Sequence, residues 1–168
     1  MTKTITELAR DNGTCSMAKE SVADILEDEL DAVIYDWMTL VEKQEDLMAV
    51  SLSYEDRTGY LPKLLRDVIA RLRLDEGTKA PVSIAASHHA ELRREQGYSV
   101  AMVVEESRLL QVSIFTTLHK NTNHLEYSKL LPDVVTIADE VDAQLKQQML
   151  HYREVNAIGT KPHTQPVK

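Results

Sequence analysis

The sequence predicts an all-α fold: a single-domain helical bundle, or a globin-like cluster, of four to six helices. Three observations carry that expectation. Only five Gly and five Pro occur in 168 residues, so helix-forming stretches run long. Apolar residues recur at three- and four-residue spacing through most of the chain. Aromatics make up 5%, with one Phe and one Trp, so the core must be built from Leu, Val, Ile, Ala and Met. The length suits one hydrophobic core and leaves too little for a second.

Three stretches follow from composition: a polar, flexible N-terminal segment over 1–15, a helical domain over 16–156, and a polar tail or linker start over 157–168, which closes on KPHTQPVK. Asn12-Gly13 is a breaker signal. The first long helix is placed from near Ser16, with Val22, Ile25, Leu26, Val33, Trp37, Leu40 and Val41 as its stripe. Glu27, Asp28, Glu29 and Asp31 between them read as a solvated face rather than a metal site. A break falls at Ser51 to Ser53. Ser53 caps the next segment, with Glu55 and Asp56 in its first turn. Pro62 sits near the start of a helix over about 61–73, whose stripe is Leu61, Leu64, Leu65, Val68 and Leu72, and Asp75-Glu76-Gly77 closes it.

Pro81 is read as the opening residue of the next helix. Ile84, Ala85, His88, Leu92 and Glu95 form its inward face, which leaves His89 outward. Gly97 ends it, because glycine readily takes the left-handed conformation at a helix C-terminus. Ser99 caps the following helix, with Val100, Val103, Val104, Leu110, Ile114 and Leu118 as its stripe and Ser107 as a polar notch. Asn123 and Glu126 have capping-box spacing. The last helix carries Tyr127, Leu130, Leu131, Val134, Ala138, Val141, Leu145 and Met149. Pro132 predicts a kink or a later start there.

The charge and the missing motifs narrow the function. A net charge of −8 with scattered basic residues gives no nucleic-acid partner. No apolar run reaches the roughly 18 residues of a membrane span. Cys15 has no partner for a disulfide, and the start lacks a signal-peptide core, so the expected location is cytoplasmic. No Glu-x-x-His pair or paired Cys occurs. Adjacent His88 and His89 diverge by about 100° on a helix, so no metal site is expected. No serine elbow or glycine-rich phosphate loop occurs either. Neither catalytic residues nor cofactors are assigned.

HHAELRREQGYSVAMVVEESRLL, residues 88–110, is then a corner between two helices. Tyr98 packs back on the new helix, and Arg93 complements the dipole of the old one. An Arg93–Glu105 or Arg93–Glu106 ion pair braces the bend. If exposed, such a pair contributes only about 0–1 kcal/mol.

His89-Ala90-Glu91-Leu92-Arg93, Gln96-Gly97-Tyr98-Ser99 and Glu106-Ser107-Arg108-Leu109-Leu110 resemble the signature of the N-terminal domain of RsbRD-type proteins. That signature is a His-Gly-x-x-Arg step, a Gln-Gly-Tyr/Phe corner and a Glu-x-Arg-x-Leu step. Ala90 departs from it by replacing the usual glycine. Trp37 matches the family's tryptophan in the first long helix, and the resemblance spans about residues 20–155. It implies a haem-free, globin-like, dimeric sensory module of bacterial stress signalling. STAS-domain proteins or kinases would be its partners. His89, Arg93, Gly97, Tyr98, Glu106, Arg108 and Trp37 are the residues expected to hold the corner or touch a ligand. Two alternatives stay open. One is a haem- or cofactor-binding globin-like sensor, with a pocket beside a histidine. The other is a phosphotransfer or interaction module using exposed His89.

Overall fold

The computed structural model describes residues 19–75 and 77–159, with side chains described through 152. Eight helical segments follow one another in this part of the chain: α1 (Val22–Asp28), α2 (Leu30–Val41), α3 (Glu45–Met48), α4 (Tyr54–Thr58), α5 (Leu61–Leu72), α6 (Ile84–Glu95), α7 (Val100–Lys120) and α8 (Tyr127–Gly159). The fold is all-α, with no strand among the described residues. A β-bridge joins Glu20 to Leu125 and ties the entry of α1 to the α7–α8 loop. The count exceeds four to six because the expected first helix steps out at Glu29 and because α3 and α4 are single turns. Ladder bonds from Glu29 N–H to Ile25 and from Val33 N–H to Glu29 lie on both sides of that step, so the apolar period runs through it.

Helix starts follow side-chain caps. The Ser21, Ser53, Ser83 and Ser99 hydroxyls accept from backbone N–H groups of Asp24, Asp56, Ala86 and Met102. Pro62 is accommodated in the first turn of α5. Pro81 does not open α6. The cap is Ser83, whose hydroxyl also donates to Asp67 at 2.5 Å. Asn123 lies in a turn, and α8 begins beyond Glu126. Pro132 stands inside α8, and the helix runs to Gly159, three residues past the expected end at Asn156. The 1–15 segment, Cys15, the start near Ser16 and the final residues of the tail lie outside the described residues.

Val22, Ile25, Leu26, Val33, Trp37, Val41, Leu61, Leu64, Leu65 and Val68 are buried where the period placed them. The α6 and α8 stripes are phased differently, and the α7 stripe holds at Val103, Leu110, Ile114 and Leu118 but takes in polar residues beside them. In α6 the inward residues are Ala86, His89, Ala90 and Arg93; Ile84, His88 and Glu95 face solvent. In α7 they are Val103, Glu106, Leu109, Leu110, Ser113, Ile114, Thr117 and Leu118, while Val100 and Val104 are exposed. The fully buried notch there is Ser113 rather than Ser107. In α8 they are Ile137, Glu140, Val141, Gln144, Gln148 and Tyr152. The physical reason is common to all three. These faces meet at a polar centre, so a reading that sends polar residues outward misses them in α7 and rotates α6 and α8 the wrong way.

Candidate functional site

The sequence of the α6–α7 corner dictates its shape. Arg93 and Arg94 close α6, Gln96 caps it, and Gly97 takes φ +85°. The Gly97 N–H donates to the Arg94 carbonyl at 3.0 Å and the Tyr98 N–H to the Arg93 carbonyl at 2.9 Å. This pairing is a Schellman motif, which satisfies two of the last carbonyls of the helix. Tyr98, the second residue beyond the cap, is buried, and the Arg93 guanidinium lies 4.8 Å from its ring centre. Ser99 then starts α7 at once.

The bend brings Glu106 beneath Arg93. Arg93 Nε donates to Glu106 Oε2 at 2.8 Å, and its other nitrogens donate to the carbonyls of Asp56 and Arg57 and to Gln96 Oε1. Arg93 is 0% exposed and Glu106 3%. The pair expected at the corner thus forms with Glu106 and lies in the interior; Glu105 pairs with exposed Arg108 instead. His89 is also inside. Its Nε2 lies 3.4 Å from Glu106 Oε2, and Tyr60 packs at a tilt on its ring. The expectation of an exposed His89 is therefore corrected: His88 is the outward histidine. Trp37 reaches the same place from α2, donating from Nε1 to the Glu106 carbonyl at 3.1 Å.

The electrostatics follow from this enclosure. Burial pushes the Glu106 carboxyl up, but His89 and the Arg93 guanidinium outweigh it and hold it below the ordinary carboxylate range. Burial and the nearby Glu106 charge push the phenol of Tyr98 up to about 12. Tyr152 is pushed to about 12 for the same two reasons.

Several members of the cluster escaped sequence reasoning. Arg57 of α4 is 2% exposed and donates to the carbonyls of Leu47 and Val50 and to the Tyr98 hydroxyl. Its hydrogen-bond acceptors are all uncharged oxygens, and no local pattern marks it. Gln144 donates to the Leu64 carbonyl and to Glu140. Gln144, Gln148 and Tyr152 had a legible signal, since they repeat every fourth residue in phase with Ile137 and Val141. Of the residues singled out in advance, His89, Arg93, Tyr98, Glu106 and Trp37 come together, Gly97 shapes the bend, and Arg108 stays at the surface.

Such a cluster can position helices, but it cannot easily reach a solute. A cavity of about 10 Å³ lies beside His89, bounded by Trp37, Glu106, Ser107, Gln144 and Gln148 among others. That is the space of about one water, far short of a macrocycle, so a haem on His89 does not fit. Among the described residues no group of three or more His, Cys, Asp or Glu could hold a metal ion, and no helix is long and apolar enough to cross a membrane. Comparison of the chain with family models, with curated proteins and with solved structures finds no match.

Proposed function

We propose that the chain is a non-enzymatic, dimeric sensory domain of bacterial signalling, of the haem-free globin-like type that the corner motif resembles. It would work in the cytoplasm, alone or as part of a larger protein, with a STAS-domain or kinase partner. One observation carries the partner-binding part of this reading. Tyr127, Leu131 and Val135 repeat every fourth residue on α8 and stand 57%, 71% and 62% exposed. A row of large apolar side chains on one face of a 33-residue helix is a surface suited to a second protein. The buried corner supports the non-enzymatic part, since Arg93, Glu106 and His89 are closed off from any solute larger than a water molecule. In this reading the cluster fixes the angle between α6 and α7, and α8 passes a shift along its roughly 50 Å length.

Sedimentation of the purified chain tests the proposal. A dimer at micromolar concentration that Leu131→Asp converts to a folded monomer is the expected outcome. A strictly monomeric wild type at high micromolar concentration would count decisively against it. The phosphotransfer alternative now passes to His88, which is exposed. Acid-labile phosphate on His88 after incubation with candidate kinases would favour it.

A further inference from the structure

Five helices meet at the small cavity beside His89: Trp37 comes from α2, His89 from α6, Glu106 and Ser107 from α7, Gln144 and Gln148 from α8, and leucines from α5 complete the wall. Two atoms there find no hydrogen-bond partner among the described residues, Glu106 Oε1 and His89 Nδ1, although both side chains are more than nine-tenths buried. A buried polar atom left without a partner costs free energy, and more when it is charged, so two within one cluster call for an explanation.

The chemistry of the two atoms specifies what would satisfy them. A carboxylate oxygen only accepts. His89 turns Nε2 toward Glu106 Oε2 at 3.4 Å, which leaves Nδ1 as the ring nitrogen without a partner. The occupant must therefore donate to the carboxylate oxygen and share a second hydrogen bond with the imidazole nitrogen, which donates or accepts according to its proton. The cavity is about 10 Å³, close to the smallest volume that holds a water. Its polar rim also supplies the Ser107 hydroxyl and two side-chain amides.

We propose that this cavity is an internal binding site for one water-sized donor of hydrogen bonds, engaging Glu106 Oε1 and His89 Nδ1. Water has that chemistry in either case, and ammonium has it where Nδ1 accepts. The site does not depend on the signalling reading and would stand if the chain were a monomer. Its occupant joins α6 to α7 at a point the Arg93 pair does not reach, because Arg93 engages the other carboxylate oxygen.

An atomic-resolution crystal structure of the full chain, grown without ammonium, tests the site. Density within hydrogen-bond distance of both Glu106 Oε1 and His89 Nδ1 is the expected result. If those atoms are instead bonded to protein groups, such as the Tyr98 hydroxyl or a turned Gln148 amide, the proposal fails. Oxygen-17 relaxation dispersion in the same buffer should count one long-lived water lost in His89→Phe, which removes Nδ1 and fills the space. An unchanged count in a folded variant also overturns the site. If that variant does not fold, the wild-type density decides. Adding ¹⁵N-ammonium separates the two sources. Slowly exchanging ammonium protons near Glu106 identify ammonium as a competent occupant, and their absence alongside persistent density identifies water.

Discussion

Glu105 and Glu106 are neighbours on α7, and each faces an arginine, yet they belong to different physical regimes. Glu105 meets Arg108 three residues along the same helix, at a surface where both remain hydrated. Glu106 meets Arg93 across a bend, 13 residues away, with both side chains essentially withdrawn from water. Both carboxyls are held below their ordinary range, yet solvent screens the first pair and cannot screen the second. The same pairing of residue types is therefore ornamental on one face and structural on the next. What separates the two is the 100° turn that one residue makes on a helix.

The largest expected effect comes from breaking the buried side of this comparison. Glu106→Gln leaves Arg93 buried without its counter-charge and should lower stability by about 3–5 kcal/mol in urea unfolding. Replacing the pair together, Arg93→Met with Glu106→Leu, should recover most of that loss. A double variant as weak as the single one would mean that the pair itself, rather than the stranded charge, is what matters. In acid the contribution of Glu106 is present above the ordinary carboxylate range and is lost as pH falls through its depressed folded value.

The next effect is alkaline. The phenols of Tyr98 and Tyr152 are raised to about 12 in the folded chain, so the stability they contribute is intact below pH 10 and is lost as pH rises toward about 12. Each should contribute on the order of 2 kcal/mol of that loss. Tyr98→Phe should flatten the fall seen in a pH series of thermal unfolding, whereas Tyr35→Phe, at an exposed site, should not.

Gly97→Ala probes the bend alone. A Cβ there meets nothing within 4 Å, so the cost is the left-handed backbone itself, about 1–2 kcal/mol by thermal or urea unfolding. The smallest effect belongs to the exposed pair. Arg108→Ala should change stability by less than about 0.5 kcal/mol. A loss comparable to that of Glu106→Gln would erase the distinction between the two pairs.

The amino-acid sequence made the class of fold legible because apolar period and capping serines act locally. The α1, α2 and α5 stripes could be read directly, since their inward residues are aliphatic apart from Trp37. The bend was legible for the same reason: Gly97 and Ser99 signal through their own backbone preferences. The phase of α6 and α8 was not, and in α7 the aliphatic stripe was legible at Val103, Leu110, Ile114 and Leu118 but its buried polar members were not. Each turns some of its most polar residues inward, and a partner such as Arg57 lies about 40 residues from Tyr98 in the chain. Nothing in the spacing of His88 and His89 says which of two adjacent imidazoles meets a carboxylate brought in by another helix.

The carbonyls that Arg57 and Arg93 engage belong to residues 47–57, the stretch of α3, α4 and their link. Helices of four and five residues cannot sustain themselves in water. Arg93, rooted in α6, holds α4 by its backbone, and Arg57 of α4 ties the α3 turn and the link to itself and to the Tyr98 hydroxyl, so the turns cannot peel away without stranding Arg93 and breaking the bonds of Arg57. Their amide protons should therefore exchange with solvent as slowly as those of the long helices, a rigidity that their length alone would never suggest.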